Sequence, residues 1–425
     1  MMNLLIHNYL KSWSLLIALS LLFFHQGYAQ NGPVTEKLRI NPDAAMGGAV
    51  SQYIDQVEYI TLENSPQSAF GEIDQLEVTD KYYIICDNAT ASVLIFDKQG
   101  GFHAKIEPQK INPQNVAGFW FDKQKKMIQI GYIFNQSHFQ ICFFDLDGKL
   151  VTQRKIRIDQ HLGAEINLGD NFSGYYKYWP NFPHPKGDTI AYELMVWEQG
   201  KLIQKQLPYH INAKYYEAKG GKQYRKDFSA DAATADSIAY YSREYDYNIY
   251  RLTPHTFQTA YQFIFPLQLS LPPNFRDDTV FNGKRVKFTE LNKKYIYKIG
   301  NFFKSGNNLF FAPCTDNSFS DLSYIYNTRS QKLVCINKIV SDARSYFLPV
   351  TDAEIGGMHF NNHGILSFDG DSFYASYSSP LFFHQMEATK DKHPQYPPSL
   401  IKFFSDKKNL RGNPVLVQIK FKPQL

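Results

Sequence analysis

The sequence predicts an all-β fold: a six-bladed β-propeller of four-stranded antiparallel blades, with the N- and C-terminal strands closing one blade. Three observations carry this. A hairpin is written repeatedly: "SVLIFDKQGGFHAKI" (residues 92–106) and "FQICFFDLDGKLVTQRKI" (139–156) each have an apolar run ending in Phe-Asp, a short Gly turn and a second β-prone run. The 425 residues include 34 Phe and 29 Tyr, and aromatic enrichment with many turn residues favours strands. Finally, "VEYITLE" (57–63) and "PVLVQIKFK" (414–422) place a strand near each chain end.

The chain begins with a targeting pattern. Residues 1–11 carry one base, Lys11, and no acid; "WSLLIALSLLFF" (13–24) is uncharged and mostly apolar; Gly27-Tyr28-Ala29 fits a small-x-small cleavage site. This is the layout of a secretory signal, and the block is shorter than the ~20 apolar residues of a spanning helix. Cleavage between Ala29 and Gln30 is expected. The domain plan is a signal peptide over 1–29, a linker over 30–49 and a propeller over 50–425. No Cys precedes Cys86, so no lipoprotein cysteine stands near the cleavage site. No later stretch is long and apolar enough to span a bilayer. The expected location is periplasmic or secreted, including association with the outer envelope.

The repeat continues through "LMVWEQGKLIQKQLPY" (194–209), "YNIYRLTPHTFQTAYQF" (247–263, turning at Thr253-Pro254) and "SYIYNTRSQKLVCINKI" (323–339). With Phe96, Phe144, Val196, Tyr250 and Tyr326 taken as equivalent, the steps are 48, 52, 54 and 76 residues. Such a period with four strands per unit marks a propeller blade. A further strand precedes each hairpin, at 82–86, 127–133, 189–194, 237–241 and 308–313. A third type lies upstream of the first two, at 73–78 and 116–121. "HGILSFDGDSFYASYS" (363–378) supplies a sixth strand pair. One such sheet cannot bury both faces alone, whereas stacked neighbours can. Joining the chain ends in one sheet removes two exposed edges. A seventh, degenerate blade within the 76-residue step is the alternative count. Three segments fall outside the pattern. Residues 212–227 and 271–288 read as exposed polar loops. Residues 386–413 hold one short helix, N-capped by Ser399, amphipathic over 400–408 and followed by Gly412.

These pieces resemble a family of exported six-bladed β-propellers common in Bacteroidota, NHL-like in architecture. The resemblance covers residues 50–422. It is carried by the opening at 53–102, by "DSIAYYSREYDYNIYRL" (236–252), and by the final helix followed by "NPVLVQIKFK" (413–422). The family's Gly-rich stretch after the first blade is replaced here by "EPQKINPQNVAG" (107–118). The resemblance implies the fold and brings no catalytic residues with it.

The chemistry candidates are sparse. A net charge of +5, with acids and bases interspersed, gives no basic stripe of the nucleic-acid-binding kind. Cys86, Cys142, Cys314 and Cys335 are dispersed without zinc spacing; they read as small buried side chains, with any disulfide pairing left open. "DLDGK" (145–149) begins like a calcium loop, but its twelfth place is Ile156 rather than Glu, so a hairpin turn is the better reading. "FDGDS" (368–372) is weighed the same way. No HExxH, GxSxG or phosphate loop is present. His359 and His363 are four apart, but in strand and turn, where that spacing does not align them. A Ser-His-Asp triad assembled from distant blades stays open. No cofactor is expected; calcium or another divalent metal in the channel is the open case.

The aromatic stretch "YYKYWPNFPHP" (175–185) offers ring faces for a sugar or peptide. Tyr178, Trp179 and His184 are the candidate ligand-binding residues there, joined by Arg243 and His359; Arg225 and Arg276 are further anion-binding candidates. The expected function is an exported binding module, monomeric, recognising a glycan, peptide or envelope protein through one mouth of the ring. The alternative is a metal-dependent hydrolase or lactonase with carboxylates gathered on the propeller axis. A purely structural envelope component is the third reading.

Overall fold

The computed structural model describes residues 35–111, 116–122, 125–135, 138–157, 164–168, 172–176, 189–199, 201–210, 228–230, 238–316, 322–351 and 367–425. The chain divides into a leading unit, Met1–Glu36, and a main unit, Lys37–Leu425, to which the following description applies.

Among the described residues the strands form six sheets. Five begin as consecutive antiparallel meanders. The first runs Gln75–Val78, Tyr82–Asp87, Ser92–Asp97, Phe102–Ile106. The second runs Val116–Asp122, Met127–Asn135, His138–Phe144, Leu150–Arg157. The third runs Ala164–Asn167, Phe172–Tyr176, Ile190–Glu198, Lys201–His210. The fourth runs Phe228–Ala230, Ala239–Tyr241, Asn248–Leu252, Phe257–Ile264. The fifth runs Lys298–Ser305, Asn308–Cys314, Tyr324–Asn327, Leu333–Val340. The residues taken as equivalent in the sequence all fall on third strands.

The sixth sheet is assembled from both ends of the chain. Ser367–Phe368, Phe373–Tyr377 and Val415–Phe421 come from the C-terminal part, and Ile54–Thr61 supplies the fourth strand. Ile54–Thr61 pairs antiparallel with Val415–Phe421, from Val415↔Thr61 to Phe421↔Ile54. Before reaching it, the segment expected as a linker contributes two edge strands. Glu36–Arg39 extends the fourth sheet beyond Phe257–Ile264. Met46–Ala49 runs parallel to Leu333–Val340 at the edge of the fifth.

Continuous apolar strands are explained by burial on both faces. In Ser92–Asp97, Val93 and Ile95 join Ile128, Ile130 and Phe144 of the second sheet, while Leu94 and Phe96 join Tyr374 and Leu416 of the sixth. Phe310 meets Phe373 and Phe421 of the sixth sheet, while Leu309 and Phe311 face the fourth. Successive strand residues point to opposite faces, and each large apolar side chain so buried contributes about 1.5–3 kcal/mol. Shared cores join the first sheet to the second, the third to the fourth, the fourth to the fifth, the fifth to the sixth and the sixth to the first. First strands also neighbour one another: Ser367–Phe368 beside Gln75–Val78, and Phe228–Ala230 beside both Ala164–Asn167 and Lys298–Ser305.

The repeated hairpin turns link neighbouring sheets. Gly100, at φ +85°, places its backbone against Thr61, and its carbonyl accepts from Glu63 N at 2.8 Å. The turn at Gly148 sits against Ala104 and Ile106 of the first sheet, and Asp147 meets His103 at 2.9 Å. Gln204 of the third sheet donates to the carbonyls of Thr253 and Pro254, in the equivalent turn of the fourth.

Three expectations need correction. Residues 189–194 and 194–198 are one strand, Ile190–Glu198, so the third sheet takes its earlier strands from Ala164–Asn167 and Phe172–Tyr176. The 271–288 insertion is packed rather than an exposed loop. It holds a 3-10 turn at Thr279–Phe281 and the helix Arg285–Leu291, with Phe275, Phe281 and Phe288 in ring contact. The C-terminal helix is Pro398–Ser405, with Pro397 as N-cap and Ser399 inside it; a second helix, Ser379–Ala388, precedes it.

Candidate functional site

In an up-and-down meander, the connection between second and third strands lies at the same end of the sheet as the start of the first strand and the close of the fourth. Here that end carries the long connections. The path from Ile264 to Lys298 holds the packed insertion, and that from Tyr377 to Val415 holds both C-terminal helices. At the opposite end the turns are tight, as between Val78 and Tyr82 or Ser305 and Asn308. Long loops on a rigid scaffold are where binding residues concentrate.

A charged cluster is built at the loop-bearing end, between the third and fourth sheets and the insertion. Glu193, on Ile190–Glu198, is the pivot, with its side chain only 2% exposed. Its Oε1 accepts from Arg243 Nη1 at 3.4 Å and from Arg276 Nη2; its Oε2 accepts from Tyr241 OH at 3.1 Å. Arg243 Nε donates to Asp246 Oδ2 at 2.6 Å, and its Nη2 donates to Tyr250 OH at 3.1 Å. Tyr250 OH in turn donates to Asp246 at 2.7 Å. Asp246 also takes two bonds from Asn248, at 2.9 and 2.8 Å. Arg276 Nη1 reaches the carbonyl of Glu244 at 3.3 Å.

The electrostatics follow from burial with pairing. Burial alone would lower the Arg243 pKa, but Asp246, Glu193 and Tyr250 outweigh it and raise it above the ordinary value. Burial raises the Tyr250 pKa, reinforced by Asp246. Among the described residues Arg243 and Arg276 share Glu193, with Asp246 on Arg243 and Asp277 3.7 Å from Arg276, so the cluster ties the insertion and the connecting turn Ser242–Tyr247 to the third sheet. A buried charge is stable only when paired in this way.

Of the candidate ligand-binding residues, Arg243 stands in this cluster. Tyr178, Trp179, His184, His359 and Arg225 lie outside the described residues, as do Ala29 and Gln30. Phe172–Tyr176 and Ile190–Glu198, which flank residues 177–189, pair Tyr176 with Leu194, one residue from Glu193. Glu193 itself was missed. Its signal was a lone acid within an apolar strand, "IAYELMVW".

The paired aspartates close turns. Asp145 Oδ1 accepts from the amides of Asp147 and Lys149 at 3.0 and 2.8 Å. Asp369 Oδ1 accepts from those of Asp371 and Ser372 at 3.0 and 2.8 Å, and its Oδ2 from Tyr374 OH at 2.7 Å. Asp97 is used likewise. Among the described residues, no group of three His, Cys, Asp or Glu is placed to hold a metal ion. All four cysteines are free thiols, three of them buried.

A family model described as a domain of unknown function, DUF4934, matches residues 39–420. The chain belongs to the DUF4934 family. A solved structure of a Bacteroides fragilis protein described as exported aligns with this DUF4934 chain at a TM-score of 0.60 and 12% identity, covering 92% of this chain and all of that one. That likeness shows a shared fold. A DUF4221 member from Bacteroides vulgatus aligns at TM-score 0.44 and 11% identity, over 86% of this chain and 98% of its own. The β-propeller domain of the Trilobed protease from Pyrococcus furiosus aligns at 0.28 and 9%, over 60% and 66%. No curated protein matches the chain.

Proposed function

We propose that this DUF4934 chain is an exported, six-bladed propeller that binds a glycan, peptide or envelope protein through its loop-bearing end. The single observation that carries the reading is the asymmetry of the sheets, with tight turns at one end and long, internally packed connections at the other. In this reading the second sheet faces the third and completes the ring. Residues 1–29 are removed as a signal peptide. Export is supported by the leader pattern and by the likeness to a protein described as exported. The Glu193 cluster supplies a charged floor, and Tyr178, Trp179 and His184, which lie in sequence between Tyr176 and Ile190, are the proposed contact residues.

The test is a thermal-shift screen of the chain from Gln30 onward against glycans and peptides. A ligand at 100-fold its Kd stabilises by about 2.7 kcal/mol. Trp179→Ala is expected to abolish the shift produced by a ligand while leaving the melting of the free protein unchanged. An unchanged shift in that variant removes the aromatic connection from the binding surface.

A further inference from the structure

The connection between Phe373–Tyr377 and Val415–Phe421 carries a concentrated charge. Residues 389–413 hold six bases and two acids, an excess of four positive charges, where the whole chain has an excess of five. Lys390 is engaged by Glu387 at 3.2 Å, and Lys392 lies over the Phe347 ring at 4.8 Å. Asp406 accepts from Lys408 N at 3.0 Å as the cap of the 3-10 turn Lys407–Arg411. Lys402, Lys407, Lys408 and Arg411 are exposed and have no acidic partner among the described residues.

Two large aliphatic side chains adjoin these cations in sequence, Ile401 next to Lys402 and Leu410 next to Arg411. The helix Pro398–Ser405 turns Leu400 and Phe403 into the core and leaves Ile401 57% exposed. Asn409 Nδ2 donates to Phe403 O at 2.9 Å and ties the following turn to the helix end. Leu410, on that turn, is 42% exposed. Exposed aliphatics beside unpaired bases combine the two attractions of an anionic bilayer: bases for lipid phosphates and apolar groups for the boundary beneath them. A polyanionic chain would use the bases and gain little from Ile401 and Leu410.

We infer that residues 398–411 are a peripheral docking surface for an anionic lipid bilayer. Lys402, Lys407, Lys408 and Arg411 meet headgroup phosphates, and Ile401 and Leu410 enter the headgroup boundary. No described helix is long and apolar enough to cross a membrane, so this contact is surface attachment. It does not depend on which connections hold a glycan or peptide.

The experiment is co-sedimentation of the chain from Gln30 with mixed phosphatidylcholine–phosphatidylglycerol vesicles and with phosphatidylcholine alone. Binding is expected to the mixed vesicles only, and to fall with added salt. Joint Lys402→Glu, Lys407→Glu, Lys408→Glu and Arg411→Glu changes are expected to weaken binding about tenfold or more. Ile401→Ser with Leu410→Ser is expected to weaken it several-fold. Because all six side chains are exposed, both variants should melt as the parent does. Absent binding, equal binding to neutral vesicles, or parental binding by the charge variant overturns the inference. So does loss in the charge variant without loss in the aliphatic one, which assigns the patch to a polyanion.

Discussion

Glu193 holds two arginines from different elements, which makes it the most sensitive residue of the site. Glu193→Ala leaves Arg243 and Arg276 partly buried without their shared acceptor. Breaking a buried ion pair in this way costs about 3–5 kcal/mol. Chemical denaturation should show that loss, and a change below ~1 kcal/mol would show that the cluster is not a clamp. A second residue-scale expectation concerns alkaline pH. Burial pushes the Cys86 thiol from 9.0 up to about 12, helped by Asp74 and Asp87. Burial likewise pushes Tyr83 from 10.0 up to about 12, helped by Glu58 and Asp369. Both groups stay protonated in the fold while the unfolded chain ionises, so their contribution is intact below pH about 9 and is lost as pH rises towards about 12. Melting temperature should therefore fall across that window, less steeply in Cys86→Ser. A flat profile would contradict the burial of both groups. At this scale little of the site could be read in advance. Arg243 stood out as a charge in a turn, with Asp246 and Tyr250 close by in the chain, but the pivot that joins it to Arg276, Glu193, comes from a strand 50 residues away in sequence.

Elements were legible where the pattern is local. The Phe-Asp-turn-Gly hairpins fall on third and fourth strands because an Asp acceptor and a left-handed Gly close the turn, and neighbours in sequence specify both. Gly100 tests this. A Cβ there would stand 2.2 Å from Thr61 O, at a φ that L side chains rarely adopt, so Gly100→Ala should cost about 1–3 kcal/mol, read by thermal or chemical melting. The insertion was illegible for the opposite reason. Its prolines and charges mimic a loop, yet Arg285 is fully buried and gives Nε to Phe275 O at 3.1 Å and Nη2 to Asp278 O at 2.8 Å. Arg285→Met removes those donors. It should open residues 271–291 to limited proteolysis while the global melt changes little; unchanged protease resistance would show that the aromatic rings alone hold the insertion.

For the whole molecule, stability comes from sheets leaning on sheets, each apolar strand shared between two cores. The periodicity and the strand-like chain ends exposed this plan in the sequence, because a repeat that buries both faces must be apolar on both. The third sheet was harder to read, since Ile190–Glu198 runs through the point where a strand boundary was expected. Ending the chain after Asn413 removes the partner of Ile54–Thr61 and the middle of the fifth–sixth core. Circular dichroism should then show loss of the cooperative transition. A retained sharp melt would mean that the sixth sheet is dispensable. The most direct measurement is a crystal structure of the chain from Gln30 to Leu425. The account expects the second sheet to face the third, with six first strands around a common axis. Outward faces of those two sheets left open to solvent, with the stack ending at each, would contradict it.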